Sequence, residues 1–181
     1  MFRTFAHRPA LQLDPVCVSC TVPDHDPDII AFTDFWKVVL HPSQCGLGNV
    51  LLATRRHVAR MADLTADEAA DFQSTLARLE PALESAFGAQ LINMAYQRNW
   101  AFRAQQPDPP LRNGRPNPHV HWHITLRYDC PVVFEGVTFD DQTFGEPYEW
   151  RDRQVEESVR MAMIERIRAH LNIDFIVAEK T

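Results

Sequence analysis

The sequence predicts an α+β fold: an antiparallel sheet of about five short strands, one long central helix and a further helix near the C-terminus. Three observations carry this. Residues 118–128 are rich in Val, Trp, Ile, Thr, Leu and Tyr, the composition of a half-buried strand. Short apolar or β-branched runs at 29–35, 37–40, 50–53 and 91–95 are broken by Pro42, Gly46 and Gly48, as in a meander of antiparallel strands. Between the third and fourth of these runs, residues 65–87 repeat apolar side chains at helical spacing.

The helix has its own start and stop. Thr65 and Glu68 form a capping box, Phe72, Leu76, Leu79, Leu83 and Phe87 make one apolar stripe, and Gly88 stands where a left-handed residue ends a helix. Pro81 interrupts the pattern and predicts a kink or a split near residues 77–80. A second amphipathic helix is expected over 154–171, with Val155, Val159, Met163, Ile167 and Leu171 on a slowly drifting face. The organisation that follows is an irregular arm over 1–16, a core over 17–128 and a C-terminal extension over 129–181. A Pro-rich insertion occupies 100–117 of the core.

The strand at 118–128 also carries the chemistry. Side chains alternate across a strand, so His119, His121 and His123 share one face at steps of about 6.6 Å, while Val120, Trp122 and Ile124 face a core. Three of eight histidines thus line one surface. Each could be a buried imidazole satisfied by backbone. As a row they suit either of two chemistries: metal ligation, or one neutral imidazole acting as nucleophile while its neighbours orient it and bind anionic oxygens.

Composition bounds the rest. With 181 residues, 45% of them hydrophobic, the chain is one domain with extensions and has enough apolar material for a core. A net charge of −6 disfavours binding to nucleic acid, whose affinity comes from phosphate neutralisation, but leaves a small phosphorylated substrate open. There is no apolar run of membrane-spanning length and no secretory h-region at the N-terminus, so a cytoplasmic protein is expected.

The stretch Pro-His-Val-His-Trp-His-Ile-Thr-Leu-Arg-Tyr at 118–128 resembles the signature of the histidine triad (HIT) superfamily, His-apolar-His-apolar-His-apolar-apolar, often followed by arginine. Upstream blocks fit in order. Ala31-Phe32-Thr33-Asp34 resembles the Ala-Phe-x-Asp that ends the family's nucleotide-pocket strand, and residues 48–58 resemble its Gly-His-x-Leu-Val-Ile-Pro-Lys-x-His segment. Leu64, Thr65 and Glu68 resemble the helix start that follows, and Asn93 and Asn99 the paired asparagines of one branch. The resemblance covers about 112 of 181 residues and is similar to the diadenosine polyphosphate hydrolase-like branch.

It implies a HIT-like fold and a nucleotide hydrolase or nucleotidyl transferase working through a nucleotidyl-histidine intermediate. His121 would be the nucleophile, with His119 and His123 beside it and His123 donating to a phosphate oxygen. Asn99 would lie by the phosphate or leaving group and Asp34 by the ribose, unless Asp34 is only a turn or solvent-facing residue; Asn49, Asn93 and Arg103 are further candidates for nucleotide contact. A homodimer is the assembly implied, and the apolar side of the C-terminal helix and Trp150 are candidates for its interface. The family's structural zinc, where present, implies Cys17, Cys20, His57 and His119 as ligands here; a lone C-x-x-C also suits a redox pair or two buried thiols. Cys45 and Cys130 are expected to be free thiols.

Three departures shape the expectations. Asn49 stands where many members carry His, and an amide cannot shuttle a proton near neutral pH. Thr54 stands in place of Pro. The short Gly-containing loop before the triad is absent, so its phosphate contacts do not carry over, and the insertion at 100–117 replaces it. That insertion holds Arg103, Arg112 and Arg115 against Asp108, which suits either a surface excursion with solvated arginines or a lid whose guanidinium groups reach a polyphosphate. Competing readings are a nucleotide-binding module with vestigial turnover, supported by Asn49 and the absent loop, and a metal enzyme using the histidine row as ligands.

Overall fold

A computed structural model describes residues 11–171. Its sheet has five antiparallel strands: β1 (Ile29–Phe32), β2 (Trp36–Leu40), β3 (Val50–Thr54), β4 (Leu91–Tyr96) and β5 (His121–Arg127). The order across the sheet is β1-β2-β3-β5-β4. Beyond it lie a two-stranded hairpin, β6 (Val132–Phe134) and β7 (Val137–Phe139), and three helices, α1 (Val18–Thr21), α2 (Ala66–Phe87) and α3 (Glu157–His170). The α+β class, the five-stranded antiparallel sheet, the central helix and the additional C-terminal helix are as the sequence predicts. No helix among the described residues is long and apolar enough to cross a membrane.

The alternation of side chains sorts the sheet into two faces. Trp36, Val38, Leu40, Val50, Leu52 and Ile124 are buried against Leu79, Leu83 and Phe87 of α2 and Met163, Ile164 and Ile167 of α3 in one core. The opposite face presents Lys37, Val39, Leu51, Ala53, His121 and His123 to a cavity. Register fixes their neighbours: His121 lies opposite Ala53, and His123 lies between Leu51 on β3 and Ala95 on β4.

α2 begins as its sequence says. The Thr65 hydroxyl accepts from the Glu68 amide at 3.2 Å, and the Glu68 carboxylate accepts from the Thr65 amide at 2.7 Å. Gly88 follows in the left-handed region at φ 71°. Pro81 does not split the helix, which is continuous over its 22 residues. Leu79 and Leu83, both fully buried on either side of Pro81, hold the two halves against the sheet and offset the missing backbone donor. Gly48, at φ 78°, is required twice over, because a Cβ there would sit 2.6 Å from the Phe87 ring.

Two boundaries differ from the sequence reading. The run at 29–35 ends at Phe32, because Thr33, Asp34 and Phe35 make the turn into β2: the Thr33 hydroxyl donates to Asp71 at 2.6 Å and Arg55 donates to the Thr33 carbonyl at 3.1 Å. The C-terminal helix starts at Glu157, three residues later than expected. Its apolar side is covered by this chain, since Val159, Met163, Ile164 and Ile167 are buried in the common core. That helix therefore gives no argument for a second subunit. Trp150 stays half exposed, edge-on to Trp100.

Residues 1–10 of the expected arm lie outside the described residues. Its remainder is irregular but firmly held. The Asp14 carboxylate, 1% exposed, accepts from the Val16 amide at 2.9 Å, Arg112 at 2.7 Å and Asn117 at 3.2 Å. The arm is thereby tied to both ends of the hairpin-like turn in the insertion, where Arg112 and Arg115 bridge through their backbones.

Candidate functional site

The histidines divide between two sites. β3 and the start of β5 meet so that the Val120 amide donates to the Val58 carbonyl at 2.7 Å, which sets His57 beside His119. The turn into α1 brings Cys17 and Cys20 onto the same spot, and the buried Lys37 amine donates to the Ser19 carbonyl to hold that turn in place. Ligand atoms of Cys17, Cys20, His57 and His119 all lie within 4.8 Å of one another. The His119 Nδ1 is 3.5 Å from each sulfur and 3.4 Å from the His57 Nδ1, which is itself 3.5 Å from the Cys20 sulfur. Those four separations fit the edges of a tetrahedral site with bonds of about 2.3 Å to sulfur and about 2.0 Å to nitrogen, and the other two pairs lie within 4.8 Å. Hydrogen bonding from Cys17 holds the Cys20 thiol down at about 3, in spite of burial and with help from His119, so the cluster favours a thiolate.

The other nitrogen of His119 explains the ring's orientation. Its Nε2–H donates to the Thr54 carbonyl at 2.9 Å, with the Thr54 hydroxyl 3.1 Å away, and this leaves the Nδ1 lone pair toward the cysteines. The acceptor is main chain, so a Pro at position 54 would supply it equally; what Thr54 adds is its hydroxyl. With both nitrogens engaged, the His119 ring offers none to a substrate. It is expected among the catalytic residues from the row, but what it gives the cavity is its backbone.

That backbone bears on the next histidine. The His121 Nδ1 is 2.8 Å from the His119 carbonyl oxygen, which can only accept, so Nδ1 carries the proton and Nε2 keeps a lone pair. Burial lowers the His121 pKa below its ordinary value near 6.5, and the hydrogen bond to His119 opposes this only in part. His123, whose ring centroid is 5.0 Å from that of His121, is pushed down to about 4 by burial and by His121 and His41 on either side. Both rings are neutral at physiological pH.

A further histidine completes the row, and the sequence reading missed it. His41 follows β2 on the same face as Lys37 and Val39, and its ring lies 5.4 Å from that of His123. It is 6% exposed, and its Nδ1 is 2.8 Å from the Ser43 carbonyl oxygen and 3.0 Å from the Ser43 amide. The signal was legible: counting by twos along 37–40 puts residue 41 on the lysine's face.

His41, His119, His121 and His123 line a cavity of about 380 Å³. On the β2 side its wall holds Val18, Val22, Val39 and Leu51; beyond the end of β4 it holds Arg98, Asn99, Trp100, Asp108 and Pro109. Among the residues expected at a nucleotide, Asn99 is brought to this cavity and four are not. Asp34 sits in the β1–β2 turn, because the Ala-Phe-x-Asp stretch ends the edge strand while β2 is the strand that walls the cavity. Asn49 spends its amide on the protein, accepting from the Leu126 amide at 3.3 Å and donating to the Cys45 sulfur at 3.7 Å. Asn93 accepts from the buried Arg127 at 2.6 Å, a guanidinium that also pairs with Asp141. Arg103 stacks on Trp100, 4.2 Å from the ring centroid.

The arginine lid fails for a physical reason. Arg112 is held by Asp14, Arg103 by Trp100, and neither they nor Arg115 line the cavity. The insertion instead contributes Trp100, Ala101, Asp108 and Pro109, and the arginine at the wall is Arg98, which donates to the Ala59 carbonyl at 3.1 Å. Among the described residues the one group with metal-ligand spacing is the Cys17, Cys20, His57 and His119 cluster, so the row of His41, His121 and His123 is not such a site.

No protein-family model matches the sequence, and no curated protein does. Solved structures do match, and they share the histidine triad fold. A hypothetical histidine triad nucleotide-binding protein of Sulfolobus tokodaii strain 7 superposes with a TM-score of 0.57 at 14% identity, over 85% of this chain and 91% of that one. A zinc-bound histidine triad family protein of Mycobacterium smegmatis gives 0.55 at 18% identity, again over 85% and 91%. The NitFhit protein of C. elegans gives 0.53 at 20% identity, over 81% of this chain and 28% of its own. The chain has the histidine triad fold.

Proposed function

We propose that this protein is a HIT-family nucleotide hydrolase or nucleotidyl transferase that acts at the α-phosphate of dinucleoside polyphosphates or related nucleotide conjugates. The observation that carries the reading is the His121 ring, its Nδ1–H donated to the His119 carbonyl and its Nε2 lone pair in a cavity of about 380 Å³. In the first step Nε2 attacks the α-phosphorus, a P–N bond forms, and the bond to the leaving group breaks with its electron pair on the departing phosphate oxygen, or on a departing amine nitrogen that takes a proton from solvent. As the imidazole gains positive charge, the His119 carbonyl dipole stabilises it. His123 donates to a non-bridging phosphate oxygen and Asn99 holds the phosphate from the opposite wall. Water, or another acceptor hydroxyl in a transferase, then attacks phosphorus, the P–N bond breaks, and the acceptor's proton leaves to solvent.

Catalysis in this scheme uses no metal. The tetrahedral donor set fits a structural zinc, whose ligands would be Cys17, Cys20, His57 and His119. Bound there, it would lock the first turn of the chain to the strand that carries the nucleophile.

The test is turnover of a panel of dinucleoside polyphosphates and nucleoside phosphoramidates by the purified chain, with products read by mass. Release of a nucleoside monophosphate, lost in His121→Ala, supports the reading. Tight binding without turnover for every member would instead make the protein a nucleotide-binding module.

A further inference from the structure

The strand order gives the cavity two sides. β3 and β2 lie on one side of β5, β4 on the other, and His121 and His123 stand in the floor between. A molecule whose phosphorus meets His121 therefore extends one half toward Val18, Val22, Val39 and Leu51 and the other half toward the end of β4 and the insertion. The first wall combines these aliphatic side chains with Ser19, Asp26, Asp28 and Lys37. The second is built around one indole.

Trp100 sits on a 3₁₀ turn, Asn99–Phe102, and its carbonyl accepts from two amides, Arg103 at 3.2 Å and Asp108 at 3.0 Å. These bonds close the loop on itself and hold the Trp100 and Asp108 backbones together at the cavity wall. The Arg103 guanidinium covers one face of the indole, and Trp150 meets it edge-on at 6.2 Å. The ring nevertheless stays 41% exposed while lining the cavity. A large aromatic held from behind, braced at its edge and open toward a ligand cavity is built to stack.

We infer that Trp100 is a stacking platform for a planar heteroaromatic ring in the leaving-group half of the substrate, with the Asp108 carboxylate accepting from an N–H at that ring's edge. The inference rests on the proposed reaction at His121 and narrows its substrate to conjugates with a ring system on each side of the reacting phosphate. Because the Arg103 guanidinium already orders the indole, stacking costs little further side-chain entropy.

The experiment compares a dinucleoside tetraphosphate with the matching nucleoside tetraphosphate, which keeps the phosphates and lacks the second base. Trp100→Ala should raise KM for the two-base compound about 10- to 100-fold more than for the one-base compound, the range that a single base–aromatic stack supports. Trp100→Phe should restore most of that discrimination. Equal changes for both compounds, or none, overturn the inference. The same pair is titrated onto His121→Ala by tryptophan fluorescence, where the binding preference for two bases should persist and should disappear when Trp100→Ala is added. If His121→Ala still turns substrate over, the reaction scheme fails; if the binding preference is absent, the Trp100 subsite fails. The two results are independent.

Discussion

The His121 Nδ1–H donates to the main-chain carbonyl of His119 across 2.8 Å, while the His119 ring belongs to the cysteine cluster. One residue thus joins the two sites, its side chain facing the thiols and its backbone fixing the tautomer of the proposed nucleophile. If zinc fills the cysteine cluster and His121 reacts as proposed, the two are coupled through a single peptide unit.

Removing the metal ligands should therefore show in both stability and rate. We expect about one zinc per chain by elemental analysis, and its loss in Cys17→Ser. That variant should melt about 10 °C or more below the native chain, since a structural metal's binding energy is in part folding energy and each kcal/mol moves a chain of this size by about 2–4 °C. Its kcat should fall as well, because the His119 carbonyl loses its anchor. A metal-free native chain with full stability would remove the zinc from the account.

The pH profile follows from the buried row. Nucleophilic attack needs neutral imidazole, and burial holds His121 below its ordinary value near 6.5. The acid limb of kcat/KM should therefore be centred below pH 6.5, lower than an ordinary imidazole would place it. The same depression is a stability statement: His123, at about 4, leaves the unfolded chain with more bound protons between pH 6.5 and 4, so its contribution is present above 6.5 and is lost as pH falls through that window. An acid limb centred above pH 6.5 would contradict the placement of these rings.

His41 touches no reacting atom in the proposed steps but packs against His123, so its removal should register on that neighbour. Beyond burial, His123 is depressed by His121 and by His41, so His41→Ala should raise the His123 pKa above its value of about 4. The shift can be read from the His123 ring resonances in an NMR titration. kcat/KM should fall with it, because the His41 ring packs 5.4 Å from the His123 ring that donates to the phosphate in the proposed steps. An unmoved His123 titration would show that His41 only fills space.

Asp14 and Arg112 separate structural from substrate-binding arginine. Burial works to raise the Asp14 carboxyl, but the Val16 amide, Asn117 and Arg112 together bring it below its ordinary 3.8. Its contribution is present above pH 3.8 and is lost as pH falls through the lowered value. Asp14→Ala, which strands buried donors, should cost about 2–4 kcal/mol in denaturant unfolding. Arg112→Gln removes the partner that is 55% exposed and should cost no more than about 1 kcal/mol, with KM for polyphosphates unchanged. A large KM effect from Arg112→Gln would return the insertion's arginines to the substrate.

Strand and helix positions were legible because they are local. The alternation at His121 and His123, the Thr65–Glu68 capping box and the stripe through Leu79 and Leu83 are all read within one element, and each is found in the structure. What was not legible depends on neighbours distant in the chain. Asp34 was expected at the ribose because its motif matched, yet the strand it ends is the edge strand, a fact set by sheet order. Arg103 and Arg112 read as free cations until Trp100 and Asp14 are placed beside them. The gathering of Cys17, Cys20, His57 and His119, from three separate segments, came from the family resemblance and not from periodicity.

A covalent bond from His121 to phosphorus would be visible by intact mass spectrometry after a rapid acid-free quench. With a dinucleoside polyphosphate the native chain should gain the mass of one nucleoside monophosphate residue, mapped to His121 by fragmentation, and His121→Ala should gain none while still binding the nucleotide. An adduct on another residue, or turnover by His121→Ala at a near-native rate, would contradict the account.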